Sequence, residues 1–530
     1  MSRLRRAFHN AVSGYVALGA GTCFSLASVP LALHYLSKER FALWALMASI
    51  SSYLSLIDLG MSASVARLLI DRKDDDSAAG YGSFIQTGFL VLLVQGMLLL
   101  VICFAIAPLL ATLLDIPPEL QSEFIDLMRW QGAVVALGFW GRIFNHLLYA
   151  HQRLDMGNYT QVVGLVLNLV LLWFFFREGH GVFSLVWSLM LGSGAAVVLT
   201  MLACWKLKIF PARGRWGRPS WQFFKELFGF GTDLFLMAAG SQLILFSQTM
   251  IITRRLGLAA AAVWAVGTKA YSLLLQLIWR TTDASLPGLS EMLVRHEDDR
   301  LLHRYQMVVT SGASFAAFCA VACATSNSPF VTVWTAGKFS WPPLNDLLLA
   351  GCLFVGALSH CHTCFIGTTK QIRLMPYVYF VEGIVFVVSA FALVRGGQLH
   401  TVIALSLICT IAFTGSYGVF RVARFFRVSF FEVAWTWLVP TWRFLWRLGL
   451  FAAVVCWLTH GLSPAARLLI HATACGTVGF LLLVRYGLAA AFQTELLGRL
   501  PPPLARPFRW ILRPMYPRRA SGRLARLNKL

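Results

Sequence analysis

Long apolar runs separated by short polar connections occupy most of the chain. Fourteen runs occur, and all but the thirteenth are long enough to cross a bilayer core as an α-helix. The thirteenth is long enough only if it begins near Trp442. The pattern therefore predicts an all-α polytopic membrane protein of about 14 transmembrane helices, in the range 12–14. The runs cover residues 11–36, 41–69, 84–114, 125–150, 157–176, 182–205, 228–253, 259–286, 306–326, 344–367, 376–394, 401–420, 448–460 and 465–488.

An internal repeat predicts two related lobes of six helices each, followed by an additional helix pair. Residues 36–46 resemble residues 256–266 at an offset of 220, and 152–156 resemble 371–375 at an offset of 219. Two six-helix repeats have the same orientation in the membrane, an arrangement that supports alternating access. The predicted organisation is an N-terminal lobe (1–205), a cytoplasmic linker (206–224), a C-terminal lobe (225–420), an interfacial basic and aromatic segment (421–447), the helix pair (448–488) and a basic cytoplasmic tail (489–530).

Composition excludes a soluble protein and gives the orientation. Hydrophobic residues make up 58% of the chain and charged residues 13%, with a mean hydropathy of +0.68. The net charge of +22 comes from basic residues in alternate connections, as the positive-inside rule describes. Both termini are therefore expected in the cytoplasm, and no nucleic-acid partner is expected. The expected cytoplasmic set includes Arg3, Arg5, Arg6, Arg72, Arg153, Lys206, Lys208, Arg213, Arg215, Arg218, Arg295, Arg300, Arg304, Lys370, Arg421, Arg424 and Arg427.

A polar stripe in the eighth run is the main candidate binding site. Its residues recur at intervals of three or four, which places them on one face of a helix. The opposite face, with Leu274, Leu277 and Ile278, is expected to be apolar. A stripe with two cations suits an anionic substrate in an aqueous cavity, although Arg280 could instead pair with Asp283. The stripe consists of Lys269, Ser272, Gln276, Arg280 and Asp283.

Charged residues in other apolar runs are further candidates, since such residues normally face a bundle interior or a cavity. Asp58 in the second run could bind a coupling proton or cation, or could pair with a neighbouring arginine. Arg142 in the fourth run is a candidate cavity cation, and His146 nearby is expected to be a hydrogen-bonded interior histidine. The coupling-ion candidates are Asp58, Asp233, Glu382 and Asp283.

Nothing in the sequence resembles a catalytic or cofactor site. Phosphate-loop, G-x-S-x-G and H-E-x-x-H motifs are absent, so we expect neither an ATPase nor another enzyme, and no cofactor. The segment from His360 to Cys364 combines histidine and cysteine residues that could bind a metal. A helix would scatter these neighbours around its axis, and no second ligand pair is near in sequence, so no metal site is expected.

The first two runs contain a proline late in the first helix, an aromatic entry to the second and an Asp-Leu-Gly motif at its end. The residues are Val29-Pro30-Leu31, Phe41-Ala42-Leu43-Trp44, Leu56-Ile57-Asp58-Leu59-Gly60-Met61 and Ala66-Arg67. They resemble the opening of the polysaccharide transporter family, the Wzx-like branch of the multidrug/oligosaccharidyl-lipid/polysaccharide (MOP) exporter superfamily. The resemblance implies two six-helix lobes around a cationic cavity, with Asp58 at the family's Asp-Leu-Gly position.

The resemblance also implies a function: a flippase for an undecaprenyl-diphosphate-linked oligosaccharide, working by alternating access. Lys269, Gln276, Arg280 and Arg142 would then line the substrate cavity. The expected partners are this lipid-linked substrate, membrane lipids and polysaccharide assembly proteins, and the expected location is the cytoplasmic membrane. Three alternatives stay open: export of lipid II or of a drug, a polymerase or glycosyltransferase acting on lipid-linked sugars, and a membrane scaffold. A drug cation fits poorly, because the stripe is net basic.

Overall fold

The computed structural model describes residues 3–58, 60–72, 80–369, 371–372, 374–394, 398–489 and Gln493. Every regular element in these ranges is helical, which confirms the predicted all-α class. The helices are α1 Arg3–Tyr35, α2 Lys38–Leu54, α3 Met61–Arg72, α4 Gly80–Leu113, α5 Pro118–Ala150, α6 Leu154–Arg177, α7 Phe183–Lys206, α8 Trp221–Leu256, α9 Leu258–Gly267, α10 Lys269–Asp283, α11 Leu286–Val294, α12 Asp298–Trp334, α13 Pro343–Thr368, α14 Met375–Leu393, α15 Leu399–Thr410, α16 Ser416–Phe426, α17 Phe430–Ala434, α18 Val439–Leu458, α19 Pro464–Ile470 and α20 Gly476–Leu482. Short 3₁₀ segments cover Ser55–Asp58 and Thr436–Leu438, and π segments cover Ile411–Gly415, His471–Cys475 and Leu483–Gly487.

Each predicted run falls on a helix or on consecutive helices, but the count of fourteen spans is not confirmed. Among the described residues, 11 helices are long and apolar enough to cross a membrane, or up to 12 if a bent pair is one span. That pair joins α9 to the segment Lys269–Leu293 with a bend of 42°. The runs at 41–69 and 125–150 are not in this set. The first is divided between α2 and α3, and the second lies in α5, whose hydropathy is lowered by polar residues.

Two predicted boundaries were wrong. The ninth run was placed at 306–326 with a connection after it, whereas α12 extends from Asp298 to Trp334. The thirteenth run begins at Val439 rather than at residue 448, since Pro440 fits the first turn of a helix. This earlier start makes α18 long enough to span, and it places residues 439–447, the last third of the predicted interfacial segment, in the helix.

The first compact unit comprises the described residues of Met1–Thr268, Trp334–Phe339 and Arg373–Cys409. In it, α1 packs against α6, α4 against α5, α6 against α7, and α8 against α14. The polar connection after α7 also packs on α4, because a Cβ at Gly82 would lie 2.3 Å from the carbonyl oxygen of Arg215. Only a residue without a side chain fits there.

The second compact unit comprises the described residues of Lys269–Val333, Ser340–Ile372 and Thr410–Leu530. Here α10 packs on α13 through Leu275 and Ile278. Asp346, 1% exposed, accepts hydrogen bonds from Asn327 Nδ2 (2.7 Å), Trp341 Nε1 (2.7 Å) and the Ser328 amide (3.0 Å). This buried carboxylate therefore ties the end of α12 to the start of α13.

The two units divide the chain differently from the predicted lobes. Residues 225–268 and the described part of 374–409 belong to the first unit, although both were assigned to the C-terminal lobe. Contacts between helices, rather than order along the chain, define the units, and sequence similarity alone does not reveal them. The pseudo-repeat itself stays a prediction.

Glycines bring α6 and α7 close together. A Cβ at Gly192 would lie 2.8 Å from Asn168 Cβ and 2.8 Å from the carbonyl oxygen of Gly164. This is the close helix contact that small residues allow in membrane proteins. Gly194 differs, because a Cβ there would meet only Leu137 Cδ2, at 3.5 Å.

Gly192→Ala is expected to destabilise the protein by about 1–3 kcal/mol, because the added methyl group overlaps two neighbours. Thermal unfolding of the purified variant in detergent measures this, as a lower Tm. Gly194→Ala, two residues along the same helix, is the matched control and should leave the Tm unchanged. Equal Tm values for the two variants would show that the contact is looser than described.

Candidate functional site

The polar stripe on α10 is exposed along most of its length. Gln276, Arg280 and Asp283 are exposed and Lys269 is half-buried. Leu275, Ile278 and Thr282, at 7%, 1% and 5% exposure, lie on the buried side of the helix. Of the residues predicted on the opposite, apolar face, Ile278 is buried and Leu277 is 40% exposed.

Arg280 has no ion-pair partner within the described part of the chain, so its alternative pairing with Asp283 is not found. Asp283 instead lies 2.9 Å from His360 Nε2 on α13. The imidazole of His360 also stacks on Trp279, with ring centroids 4.7 Å apart. Asp283 therefore pairs with His360 rather than with Arg280, and no carboxylate among the described residues pairs with the guanidinium.

A potential metal ligand set lies beside the stripe. Asp283, His360 and Cys364 each offer one ligand atom, and these atoms lie within 4.8 Å of one another. Asp283 could not be recognised as a member of this set from the sequence, because it is 77 residues from His360 along the chain. The prediction that no metal binds was based on nearby ligands only, and it stays a prediction.

A cavity of about 420 Å³ in the second unit follows the end of α10. Arg304 and several hydroxyl groups form one part of its wall, and the hydroxyl of Ser311 is buried there without a hydrogen-bond partner in the described structure. Arg304 was expected in a connection, but it lies within α12. The lining residues are Thr281, Thr282, Ser285, Arg304, Met307, Val308, Ser311, Gly312, Phe315, Leu483 and Leu488.

In the first unit, Asp58 caps the start of α3 and pairs with Arg142. Its carboxylate accepts hydrogen bonds from the Ser62 amide (3.2 Å) and from Ser62 Oγ (2.5 Å). Arg142 Nη1 lies 3.4 Å from Asp58 Oδ1 and donates to Ser62 Oγ at 3.2 Å. The guanidinium also lies 3.9 Å from the centre of the Phe139 ring. Of the two alternatives for Asp58, the structure therefore contains the arginine pair.

The Asp-Leu-Gly motif ends one helix and begins another. Gly60 has a φ of +74°, a conformation that other residues rarely adopt, and α3 starts at the next residue. Gln95 Nε2 donates to the carbonyl oxygens of Ile57 and Asp58, both at 3.0 Å, which satisfies backbone acceptors freed by the break. Leu59 lies outside the described residues.

The remaining coupling-ion candidates differ in how much the structure describes. Glu382 on α14 is 1% exposed and has interaction partners. Asp233 belongs to α8, but its side chain lies outside the described part of the structure. The Nε2 of His146 on α5 is buried with no partner among the described residues, and the hydrogen-bonded role of this histidine stays a prediction. The basic tail, predicted at 489–530, is likewise outside the described residues apart from two positions.

Comparisons with known proteins agree with this fold. The model of a family described as "Polysaccharide biosynthesis protein" matches residues 35–340. An inward-facing multidrug resistance MATE family transporter of the MOP superfamily is similar over 77% of this chain and 96% of its own, with a TM-score of 0.63 and 15% identity. A multidrug resistance MATE family transporter of the MOP superfamily in an outward-facing conformation is similar over 79% of this chain and 96% of its own, with a TM-score of 0.59 and 15% identity.

A third solved structure is a MOP superfamily transporter from Pyrococcus furiosus Vc1 (DSM3638), described as having a binding pocket of reverse polarity. It covers 80% of this chain and 96% of its own, with a TM-score of 0.57 and 14% identity. No curated protein matches the chain. The apolar helices and the shared fold make this a multi-pass membrane protein, and the sequence resemblance to the polysaccharide branch of the superfamily is confirmed. Because the family match spans more than half of its length, the chain belongs to the polysaccharide biosynthesis protein family, and its fold is that of the MOP superfamily transporters.

Proposed function

We propose that the protein is a flippase that moves an undecaprenyl-diphosphate-linked oligosaccharide from the cytoplasmic to the external leaflet of the cytoplasmic membrane. The observation that supports this most is the exposed Arg280 on the α10 stripe, which has no ion pair with any residue that the structure describes, in a chain of a polysaccharide biosynthesis family. A charged side chain within a membrane-spanning run normally faces a bundle interior or a water-filled cavity, and such positions mark substrate pathways. A diphosphate would supply a negative partner for the positive charge of Arg280.

The stripe and the cavity in the second unit together fit the chemistry of a lipid diphosphate. The guanidinium of Arg280 can form charge-assisted hydrogen bonds with phosphate oxygens, and Lys269 and Gln276 add a second cation and an amide. In the neighbouring cavity, Leu483 and Leu488 offer an apolar wall opposite hydroxyl groups. A lipid tail would pack on this wall while the headgroup faces the polar side.

Release of the substrate requires a change of affinity, which alternating access supplies by altering what surrounds the headgroup. A proton or sodium ion at Asp58, Asp233, Glu382 or Asp283, or the membrane potential alone, would drive the return step. Arg142 would influence the return step through Asp58, because the guanidinium charge is already paired with that carboxylate. We further propose cytoplasmic termini, no enzymatic activity of the chain itself, and assembly proteins as additional partners.

The proposal is tested by deleting the gene in its own host and analysing lipid-linked oligosaccharides for length and leaflet. We expect complete single repeat units trapped on the cytoplasmic side, because synthesis continues while translocation stops. Unpolymerised units on the external side would instead indicate a polymerase and contradict a flippase. Re-expression of the intact chain must restore the wild-type distribution in the same strain.

A further inference from the structure

The first unit contains a second, larger cavity that the α10 stripe does not use. It has a volume of about 640 Å³ and lies between α5, α6 and α7. This volume falls within the range of about 300–1,000 Å³ that is usual for pockets holding organic ligands. Amide and hydroxyl groups recur along the wall, among them Asn145, Asn158, Gln161, Asn168 and Ser193.

Two polar side chains of this wall have no hydrogen-bond partner among the residues that the structure describes. Asn168 is 5% exposed, and its side chain has no hydrogen bond within the described structure. The Nε2 of His146 is also buried and unpaired there. Other lining groups are satisfied, since Asn158 Nδ2 donates to Ser13 Oγ at 2.9 Å. A buried polar group without a partner costs about 1–3 kcal/mol, which applies to the His146 nitrogen. The Asn168 amide lines the cavity, where a ligand or water can reach it.

The charge of the wall restricts the ligand. No lysine, arginine, aspartate or glutamate is among the described residues that line the cavity. A diphosphate would find no cation there, and a cationic drug would find no carboxylate. A neutral ligand rich in hydroxyl groups fits, because amides and hydroxyls each both donate and accept hydrogen bonds. Tyr149, 46% exposed at the rim, adds an aromatic surface with a polar tip.

We propose that this cavity binds neutral sugar residues of the transported oligosaccharide, at a site separate from the one that binds the diphosphate. The inference rests on the proposed function, since it assigns a site to the second part of the same substrate. The amide of Asn168 would form hydrogen bonds with sugar hydroxyls, and the amides of Gln161 and Asn145 would form hydrogen bonds with other hydroxyls of the same sugar. The cavity thereby contributes to the choice of glycan, whereas Arg280 recognises a group common to all such lipids.

The test uses full-length protein purified from its own host in native-lipid particles. Sugar released from the co-purified lipid by mild acid is quantified per protein, and binding of added sugar-free undecaprenyl diphosphate is measured in parallel. For Asn168→Leu we expect about a tenfold loss of bound sugar, with the affinity for the sugar-free lipid unchanged. Gln161→Leu, at an exposed position, should lower bound sugar in the same way if Asn168→Leu fails to fold.

Tyr159→Leu is the control, because Tyr159 is on the same helix, is 43% exposed and does not line the cavity. It should retain wild-type sugar and lipid binding. Wild-type sugar content in both cavity variants would mean that the cavity holds water only and would overturn the inference alone. An equal loss of bound sugar and of affinity for the sugar-free lipid would also overturn the inference. Wild-type protein without any lipid-linked sugar would contradict the proposed function, and the inference with it.

Discussion

Arg280→Ala is expected to abolish export while the protein still reaches the membrane in the wild-type amount. Arg280 is exposed and has no ion pair within the described structure, so its removal breaks no ion pair there. A truncated charge contact to a bound anion costs about 2–5 kcal/mol, which corresponds to at least a 30-fold loss of affinity. Export is measured as surface polysaccharide, and abundance by immunoblotting of membranes.

Two further variants separate charge from structure at this site. Arg280→Lys keeps the charge but not the paired donors, and we expect it to retain part of the export. Arg295→Ala removes an exposed arginine that is paired with Glu291 near the end of α11, and it should export normally. Normal export by a well-expressed Arg280→Ala variant would exclude Arg280 from the mechanism.

Asp58→Ala is expected to give the second large effect, a loss of about 2–3 kcal/mol in stability. The substitution removes the cap of α3 and leaves Arg142 without its carboxylate partner, in a region where both side chains are mostly buried. Asp58→Asn should lose less, because its amide oxygen can still accept from the Ser62 amide. Thermal unfolding of the purified variants measures both losses as lower Tm values.

The double variant Asp58→Asn/Arg142→Gln tests whether the two side chains act as a pair. Removing both charges leaves neither one unpaired, so its loss of stability should be smaller than the sum of the losses of Asp58→Asn and Arg142→Gln measured separately. Additive losses in the single and double variants would mean that the ion pair contributes nothing. A fully stable Asp58→Asn protein that no longer exports would instead indicate a coupling role for this carboxylate.

Local patterns in the sequence predict the helices and the shared face of the polar stripe on α10. The apolar runs locate every long helix, because crossing a bilayer imposes a length that the sequence displays directly. The three- and four-residue spacing from Lys269 to Asp283 likewise predicts a shared face on α10, where Gln276 and Arg280 are exposed together. Both features depend only on neighbours along the chain.

Contacts between distant helices were not predictable from the same patterns. The pairing of Asp58 with Arg142 and of Asp283 with His360 depends on which helices are adjacent, and spacing carries no such information. Asp346 was missed altogether, since its hydrogen bond to Trp341 follows from the turn between α12 and α13. The unpartnered Asn168 also becomes evident only when the surrounding helices are in place.

The most direct measurement of the central claim is translocation by the purified protein in proteoliposomes. Undecaprenyl-diphosphate-linked oligosaccharide from the host would be incorporated, and the accessible fraction followed with a glycan-cleaving enzyme added outside. We predict that wild-type protein makes the inner-leaflet lipid accessible over time, and that Arg280→Ala vesicles behave like protein-free vesicles. The account would be contradicted if the accessible fraction of the lipid were the same in wild-type, Arg280→Ala and protein-free vesicles. The presence of substrate and of protein must be shown in the same vesicles.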